Sequence, residues 1–272
     1  MTTITDKANA FSALHVPGKP FVIPNPWDSG TARMLAGIGF EALATTSAGF
    51  AFTQGLRDHH VTRDQTLEHA QEIATAVAVP VSADLENGFA DAPDAVAETY
   101  RLAAATGIVG ASIEDSTGNP EQPIYDFELA VARVEAAVAA IREAEFDFTL
   151  TARSENFLHG HADLDETIAR LQAFEAAGAD VLYAPGLPDL DAVATVCAAV
   201  TRPVNVLVVG TLAQHCVTEF ADAGVARLSL GSVLARHVLG HLFKAASEIR
   251  DQGSFSFMSV LGGRDQIDRF MC

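Results

Sequence analysis

Short β-type runs recur along this chain roughly every 25–35 residues with helical patterns between them, the mark of repeated βα units. Strands are expected at 21–24, 42–46, 79–84, 110–114, 149–153, 181–184, 204–208 and 227–230. Helical patterns fill the intervals, among them 64–78, 92–105, 126–144, 163–177, 189–200 and 212–223. Gly39, Gly107, Gly178 and Gly224 stand where a left-handed C-cap would end a helix before the next strand. Asp163, Asp189 and Thr211 stand where N-caps are expected. Eight apolar strands alternating with helices, with no linker, favour an α/β chain folded as one (β/α)8 TIM-type barrel over a doubly wound sheet. A single domain is therefore expected over 1–272, with 232–272 as a C-terminal helical extension. In that extension 232–252 reads as a long amphipathic helix. The tail after it carries Phe255, Phe257, Met258, Leu261, Phe270 and Met271, too many apolar residues to leave in water. They pack under the barrel or enter a neighbouring subunit; the second is favoured, which predicts a homodimer or homotetramer that exchanges this helix.

Composition narrows the partners. A formal net charge of −18 argues against nucleic acid and anionic membranes. It also repels small anions at long range, so any site for one must be locally positive. The three cysteines are few, odd in number and widely spaced, as in a reducing compartment without a disulfide framework. The first ten residues lack the basic start and apolar stretch of a signal peptide, and no apolar run approaches the ~18–20 residues of a membrane span. A cytoplasmic protein is expected.

If the barrel is right, residues at the C-terminal strand ends line one mouth. These are Asn25 and Asp28, then Thr46, Ser47 and Asp58, then Asp84 and Glu86, Glu114, Arg153 and Glu155, and Asn205. Carboxylates converging on one face repel each other unless a cation lies between them. Their oxygens suit a hard divalent ion, Mg²⁺ or Mn²⁺. Arg153 would neutralise a substrate carboxylate. Singly, any of these acids is an ordinary helix cap or surface charge; at successive strand ends they read as a site.

Absences matter as much. Lys7, Lys19 and Lys244 all lie away from the expected mouth, which removes Schiff-base chemistry. Cys197 and Cys216 fall in helical patterns and Cys272 is terminal, so all three read as small packed residues. His237 and His241, spaced i, i+4 on an apolar helix, read as packing rather than ligation. His59-His60 and His159/His161 sit in loops near the mouth, where proton transfer is an option.

The chain resembles the isocitrate lyase and phosphoenolpyruvate mutase superfamily from about Phe21 to Gly231. The resemblance rests on Asn25-Pro26-Trp27-Asp28, Thr45-Thr46-Ser47-Ala48-Gly49, Gly55-Leu56-Arg57-Asp58, Ala83-Asp84-Leu85-Glu86-Asn87-Gly88, Ile113-Glu114-Asp115 and Ala152-Arg153-Ser154-Glu155. It implies a (β/α)8 barrel, Mg²⁺ dependence, a small 2-oxo acid or enolate-forming substrate, and a last helix exchanged between subunits. By position it implies Asp84 as direct metal ligand, with Asp58, Glu86 and Glu114 holding the ion partly through water. Backbone N–H groups at Thr46, Ser47 and Ala48 would hold the substrate's carboxylate or oxyanion, Arg153 its other end, with Trp27 and Asn205 beside it.

The loop after the fourth strand departs from that pattern. Lyases of the superfamily carry a Lys-Cys-Gly-His-type loop there, and the mutase and phosphonopyruvate hydrolase a lysine and an asparagine. Residues 115–125 here contain neither cysteine nor lysine. The expectation is therefore a Mg²⁺-dependent lyase that cleaves or decarboxylates an oxaloacetate-like 2-oxo acid through an enolate. Glu121, Tyr125 and His159 are the candidate proton donors, and Asp58 and Arg153 complete the catalytic set. The alternatives are phosphonopyruvate-type C–P chemistry, hydrolysis of a 2-oxo acid, or a binder of 2-oxo acids without turnover.

Overall fold

In the computed structural model, which describes residues 2–271, all eight expected strands form, each followed by helix. They are β1 (Phe21–Ile23), β2 (Leu43–Ala44), β3 (Val81–Asp84), β4 (Gly110–Glu114), β5 (Thr149–Arg153), β6 (Val181–Tyr183), β7 (Val204–Leu207) and β8 (Arg227–Ser229). Every pair from β2–β3 through β7–β8 is parallel and β8 pairs with β1, so the sheet curls into a barrel. The β1–β2 seam lacks a ladder. It is closed by Ala44 N donating to Pro24 O at 3.1 Å and by Asn25 Nδ2 donating to Thr45 O at 3.0 Å. Asn25 Oδ1 also accepts from Leu230 N at 3.0 Å, so one side chain stitches three strand ends. The (β/α)8 expectation holds.

Strand residues that face outward are apolar and lie fully buried under helices: Ala111, Ile113, Leu150, Ala152, Leu182, Val206 and Leu228. Burying each large aliphatic among them contributes about 1.5–3 kcal/mol. The barrel interior differs from the apolar strand core expected. Ladder partners run Glu114, Arg153, Tyr183, Asn205, Arg227 in one continuous row across β4 to β8. TIM-type interiors are usually filled by bulky branched residues. Here small or polar side chains leave a cavity open from the mouth downward.

The lower end of the barrel is plugged by a helix the sequence reading did not anticipate, Ile4–Leu14, started by a reciprocal Thr3/Asp6 capping box. Its Phe11 ring lies under β4, where a Cβ on Gly110 would come within 2.8 Å of it; only glycine fits there. Asp163 and Asp189 cap helices as expected, accepting from Glu166 N at 2.9 Å and Ala192 N at 2.8 Å. Thr211 does not. The segment from 210 forms a 3-10 turn, Gly210–Gln214, and a separate helix Val217–Asp222 whose N-cap is Cys216. Cys216 is therefore exposed rather than packed, Cys197 is half-buried, and Cys272 lies outside the described residues.

The C-terminal helix Val233–Gln252 projects from the barrel with Val238, Leu239, Leu242 and Phe243 exposed, the last at 73%. His237 and His241 also lie on its exposed surface, rings 4.7 Å apart, not in a core. Phe255, Met258 and Leu261 remain exposed too. Phe270 folds back over Gly37 in the helix Ser29–Ile38 so closely that no side chain fits at that glycine.

Candidate active site

The mouth is organised around Arg153 at the end of β5. Its Nη1 lies 3.2 Å from Asp84 Oδ1 and 3.2 Å from Glu114 Oε2, and its Nη2 lies 2.8 Å from Glu155 Oε1. Asp84, ending β3, also accepts from Ser47 N at 3.2 Å and from Ser112 Oγ at 3.2 Å. Burial alone would raise its pKa; Arg153 and the Ser47 donors outweigh that and hold it below the usual carboxylate range. Glu114 ends the other way. Burial, with Glu155 and Asp84 nearby, pushes it well above the usual range despite Arg153. Three carboxylates share one guanidinium, so the cluster carries more negative charge than its arginine offsets.

Glu86 follows β3 in a left-handed backbone conformation, φ 49°, sparsely populated for a residue with a side chain. Its Oε2 meets His59 Nδ1 at 3.0 Å, while Oε1 is buried with no hydrogen-bond partner. Burial raises Glu86, and the contact with Glu86 pushes His59 up to about 9. Orphaned buried carboxylate oxygens are costly. Asp58 is half-buried beside this corner and accepts from its neighbour His59 N at 3.2 Å. Among the described residues its carboxylate joins no ion pair, but its charge acts on both Glu86 and His59.

No group of three or more His, Cys, Asp or Glu side chains among the described residues is arranged as a ready metal cage. Positive groups, Arg153 and His59, stand between the acids instead. The donor chemistry still fits a hard divalent ion. Asp84, Glu86 and Glu114 offer only oxygen, Glu86 Oε1 lacks a partner, and the charge around Arg153 is in excess.

Beneath Asp84 and Arg153 lies a cavity of about 60 Å³, walled by Asn25, Thr45, Ser82, Ser112, Tyr183, Asn205, Arg227 and Ser229 among others. At ~10–15 Å³ of such volume per water, it admits a few waters or part of a small acid. A second cavity of about 310 Å³ opens beside it over His59, Glu86, Asp91, Glu114 and Ser116.

The candidates divide on placement. Asp84, Arg153 and Asn205 line the first cavity; Glu86 and Glu114 line the second. Thr46 caps the short helix Ser47–Thr53 through Gly49 N at 3.2 Å, and Ser47 N is the donor to Asp84, with Ala48 next in that helix. Trp27 presents its carbonyl to His69 Nε2 at 3.0 Å and lines neither cavity. None of the three proton-donor candidates lines either cavity. Glu121 and Tyr125 border a different cavity of about 340 Å³, and His159 is exposed on the 3-10 turn Asn156–His159. The Tyr125 hydroxyl donates to Asp91 Oδ1 and accepts from Asn87 Nδ2 at 3.3 Å. Burial and Asp91 push it up to about 12.

The sequence reading missed Ser112, Tyr183, Arg227 and Ser229. A signal existed: polar residues at i, i+2 in otherwise apolar strands, as in Ser112/Glu114, Thr151/Arg153 and Arg227/Ser229, all on the inward face.

Comparison with known proteins agrees with this architecture. The family model described as phosphoenolpyruvate phosphomutase matches residues 11–250. An uncharacterised protein of Mycobacterium tuberculosis is 34% identical over 244 residues, spanning 88% of this chain and 89% of its own length. The Escherichia coli 2-methylisocitrate lyase is 28% identical, over 79% and 78%. An oxaloacetate decarboxylase of Pseudomonas savastanoi is 26% identical, over 81% and 76%. Among solved structures, a Burkholderia cenocepacia protein provisionally described as a lyase or mutase superposes with a TM-score of 0.94 at 53% identity, covering 98% of this chain and 96% of that one. A phosphonopyruvate hydrolase crystallised with oxalate and Mg²⁺ shares the fold at TM-score 0.85 and 22% identity, over 97% and 94%.

Proposed function

The chain belongs to the phosphoenolpyruvate phosphomutase family, within the superfamily that includes 2-methylisocitrate lyase, and from that premise we propose that it is a Mg²⁺-dependent carbon–carbon lyase for a small 2-oxo carboxylic acid, decarboxylating or cleaving an oxaloacetate-like substrate. The observation that carries this reading is the excess of buried carboxylate around Arg153, with Glu86 Oε1 unpartnered, above a cavity sized for part of a small acid.

Asp84, Glu86 and Glu114 would hold the ion, with Asp58 reaching it through water. When bound, Mg²⁺ supplies Lewis-acid polarisation of the 2-oxo acid's oxygens. The remaining work falls to the chain. Arg153, freed from part of its ion pairing, carries the positive charge that a substrate carboxylate meets, in a protein whose surface repels anions. The N–H groups opening the helix Ser47–Thr53 stand beside Asp84, where an oxyanion would form. Glu121, Tyr125 and His159 do not line this cavity, so the product carbon is reprotonated from solvent in this reading. Breaking a C–C bond beside a 2-oxo group needs charge stabilisation more than a dedicated acid. That favours decarboxylation over the chemistry of relatives with a cysteine or lysine in this loop.

The exposed apolar face of Val233–Gln252 belongs to the same proposal: a second copy of the chain covers it, giving a homodimer or homotetramer. Among the described residues no helix is long and apolar enough to cross a membrane.

Turnover of oxaloacetate, an acylpyruvate, methylisocitrate and phosphonopyruvate, each with and without Mg²⁺, tests the reading. Mg²⁺-dependent pyruvate formation from oxaloacetate is expected. Faster cleavage of methylisocitrate or phosphonopyruvate would overturn it.

A further inference from the structure

Arg227, the first residue of β8, is 5% exposed, yet among the described residues no carboxylate pairs with it. Its Nε donates to Asn205 Oδ1 at 2.9 Å, and its Nη2 crosses the barrel to Thr151 Oγ1 at 3.0 Å. Nη1 meets His15 Nε2 at 3.2 Å. A guanidinium only donates, so His15 Nε2 must accept. The ring is then the neutral Nδ1–H tautomer, which donates to Phe11 O at 2.8 Å. Burial, then Arg227, pushes His15 down to about 3, in accord with that assignment. The arginine therefore keeps its charge in the barrel interior with neutral partners only. Buried charges are ordinarily paired, and an unpaired one is costly.

The same logic fixes Asn205. Side-chain amides have two faces, and which one points at a cavity is decided by the neighbours. Oδ1 is held by a group that cannot accept. Nδ2 donates to Ser229 Oγ at 3.0 Å, and that hydroxyl in turn donates to Val206 O at 3.4 Å. Both contacts demand one orientation. Asn205 lines the cavity below Asp84 and Arg153, and with Oδ1 turned to the Arg227 guanidinium, its second Nδ2 hydrogen is the donor it has left for that cavity.

We propose that Arg227 is a positioning residue for ligand selection: it locks the Asn205 amide so that Nδ2 is offered to the cavity, and places an unpaired positive charge beneath it. This rests on the 2-oxo acid reading above and sharpens it. The lower end of the site accepts hydrogen-bond acceptors bearing negative charge, a carboxylate or oxo oxygen, and disfavours a hydroxyl that must donate. A 2-oxo acid or dicarboxylate is selected over the corresponding 2-hydroxy acid. The row Arg153, Tyr183, Asn205, Arg227 gives this preference a physical path, since each residue is the ladder neighbour of the next.

The test is calorimetric binding of oxalate and of glycolate, each with Mg²⁺, to the full chain and to Arg227→Met, Arg227→Lys and Asn205→Asp. The unmodified chain should prefer oxalate. Arg227→Met should weaken oxalate ~10–100-fold, the range of outer-shell effects at such sites, while moving glycolate far less, so that the preference collapses. Arg227→Lys, which keeps the charge but not the fixed fork, should restore part of the loss. Asn205→Asp retains the fold, because its carboxylate pairs with Arg227, and should abolish the oxalate preference by removing the donor and cancelling the charge. A general structural lesion would weaken both ligands alike, and that result would overturn the proposal. So would an unchanged preference in Arg227→Met or Asn205→Asp. If the unmodified chain binds neither ligand, the functional reading fails and this inference falls with it; if it binds oxalate and the variants do not differ, the inference alone fails.

Discussion

Glu114 and Asp115 are neighbours in sequence, both buried and both near an arginine, yet they belong to two different regions. Glu114 turns into the barrel mouth, where it shares Arg153 with Asp84 and Glu155. Asp115 turns out into the seam between β4 and the helix Leu164–Ala176. There its Oδ2 lies 3.2 Å from Arg170 Nη1, and its Oδ1 accepts from Glu155 N at 2.7 Å. Arg170 also donates to Tyr125 O at 3.0 Å. In the seam both Asp115 oxygens have a partner, the second acid on Arg170, Glu166, reaches solvent, and the network holds the 115–125 loop to the barrel. In the mouth the acids outnumber the arginine and one oxygen of Glu86 is orphaned. The contrast shows that a buried acid–arginine contact does not by itself mark a site. Imbalance does.

Variants can break that contrast. Asp84→Asn removes the carboxylate that lines the cavity and should cost ~10²–10³-fold in Mg²⁺-dependent turnover with little loss of stability, read by steady-state kinetics beside thermal melting. Arg170→Met should do the reverse. Leaving Asp115 buried and unpaired is expected to cost ~3–5 kcal/mol in a denaturant titration, while Mg²⁺ still supports oxalate binding in the folded fraction. If Arg170→Met abolished binding without destabilising the fold, the division between mouth and seam would be wrong. Glu86→Gln, which removes charge but keeps shape, should weaken Mg²⁺ by ~10–100-fold in a metal titration. At the small end, a thiol reagent should label Cys216 and leave Cys197 largely unmodified in the native protein. Cys216 is exposed, whereas burial pushes the Cys197 thiol up to about 11. Mass spectrometry of the labelled chain reads the difference.

The barrel was legible because its evidence is local and repeated. Eight apolar runs, glycines such as Gly39 at φ 113° and Gly178 at φ 102°, and caps such as Asp163 each report on a few adjacent residues. The mouth was partly legible for the same reason, since strand ends can be read from strand positions. What escaped the sequence depends on contact across the barrel. Arg227 reaches Thr151, 76 residues away in sequence, and nothing near either one announces the pairing. Tyr125 looked like a proton donor by its loop position, but its hydroxyl is spent on Asp91 and Asn87. The Ile4–Leu14 helix escaped notice because it adds to the βα rhythm rather than continuing it, and Thr211 lost its capping role because the expected helix is split in two.

The central claim, that the excess carboxylate at the mouth exists to hold a divalent ion with a 2-oxo carboxylate against it, is tested most directly by calorimetric titration of oxalate with and without Mg²⁺. Oxalate should bind in the presence of Mg²⁺ and lose most of its affinity without it, because the dianion then meets the crowded carboxylates around Arg153 with no ion to offset them. Equal binding in the absence of the metal would contradict the account.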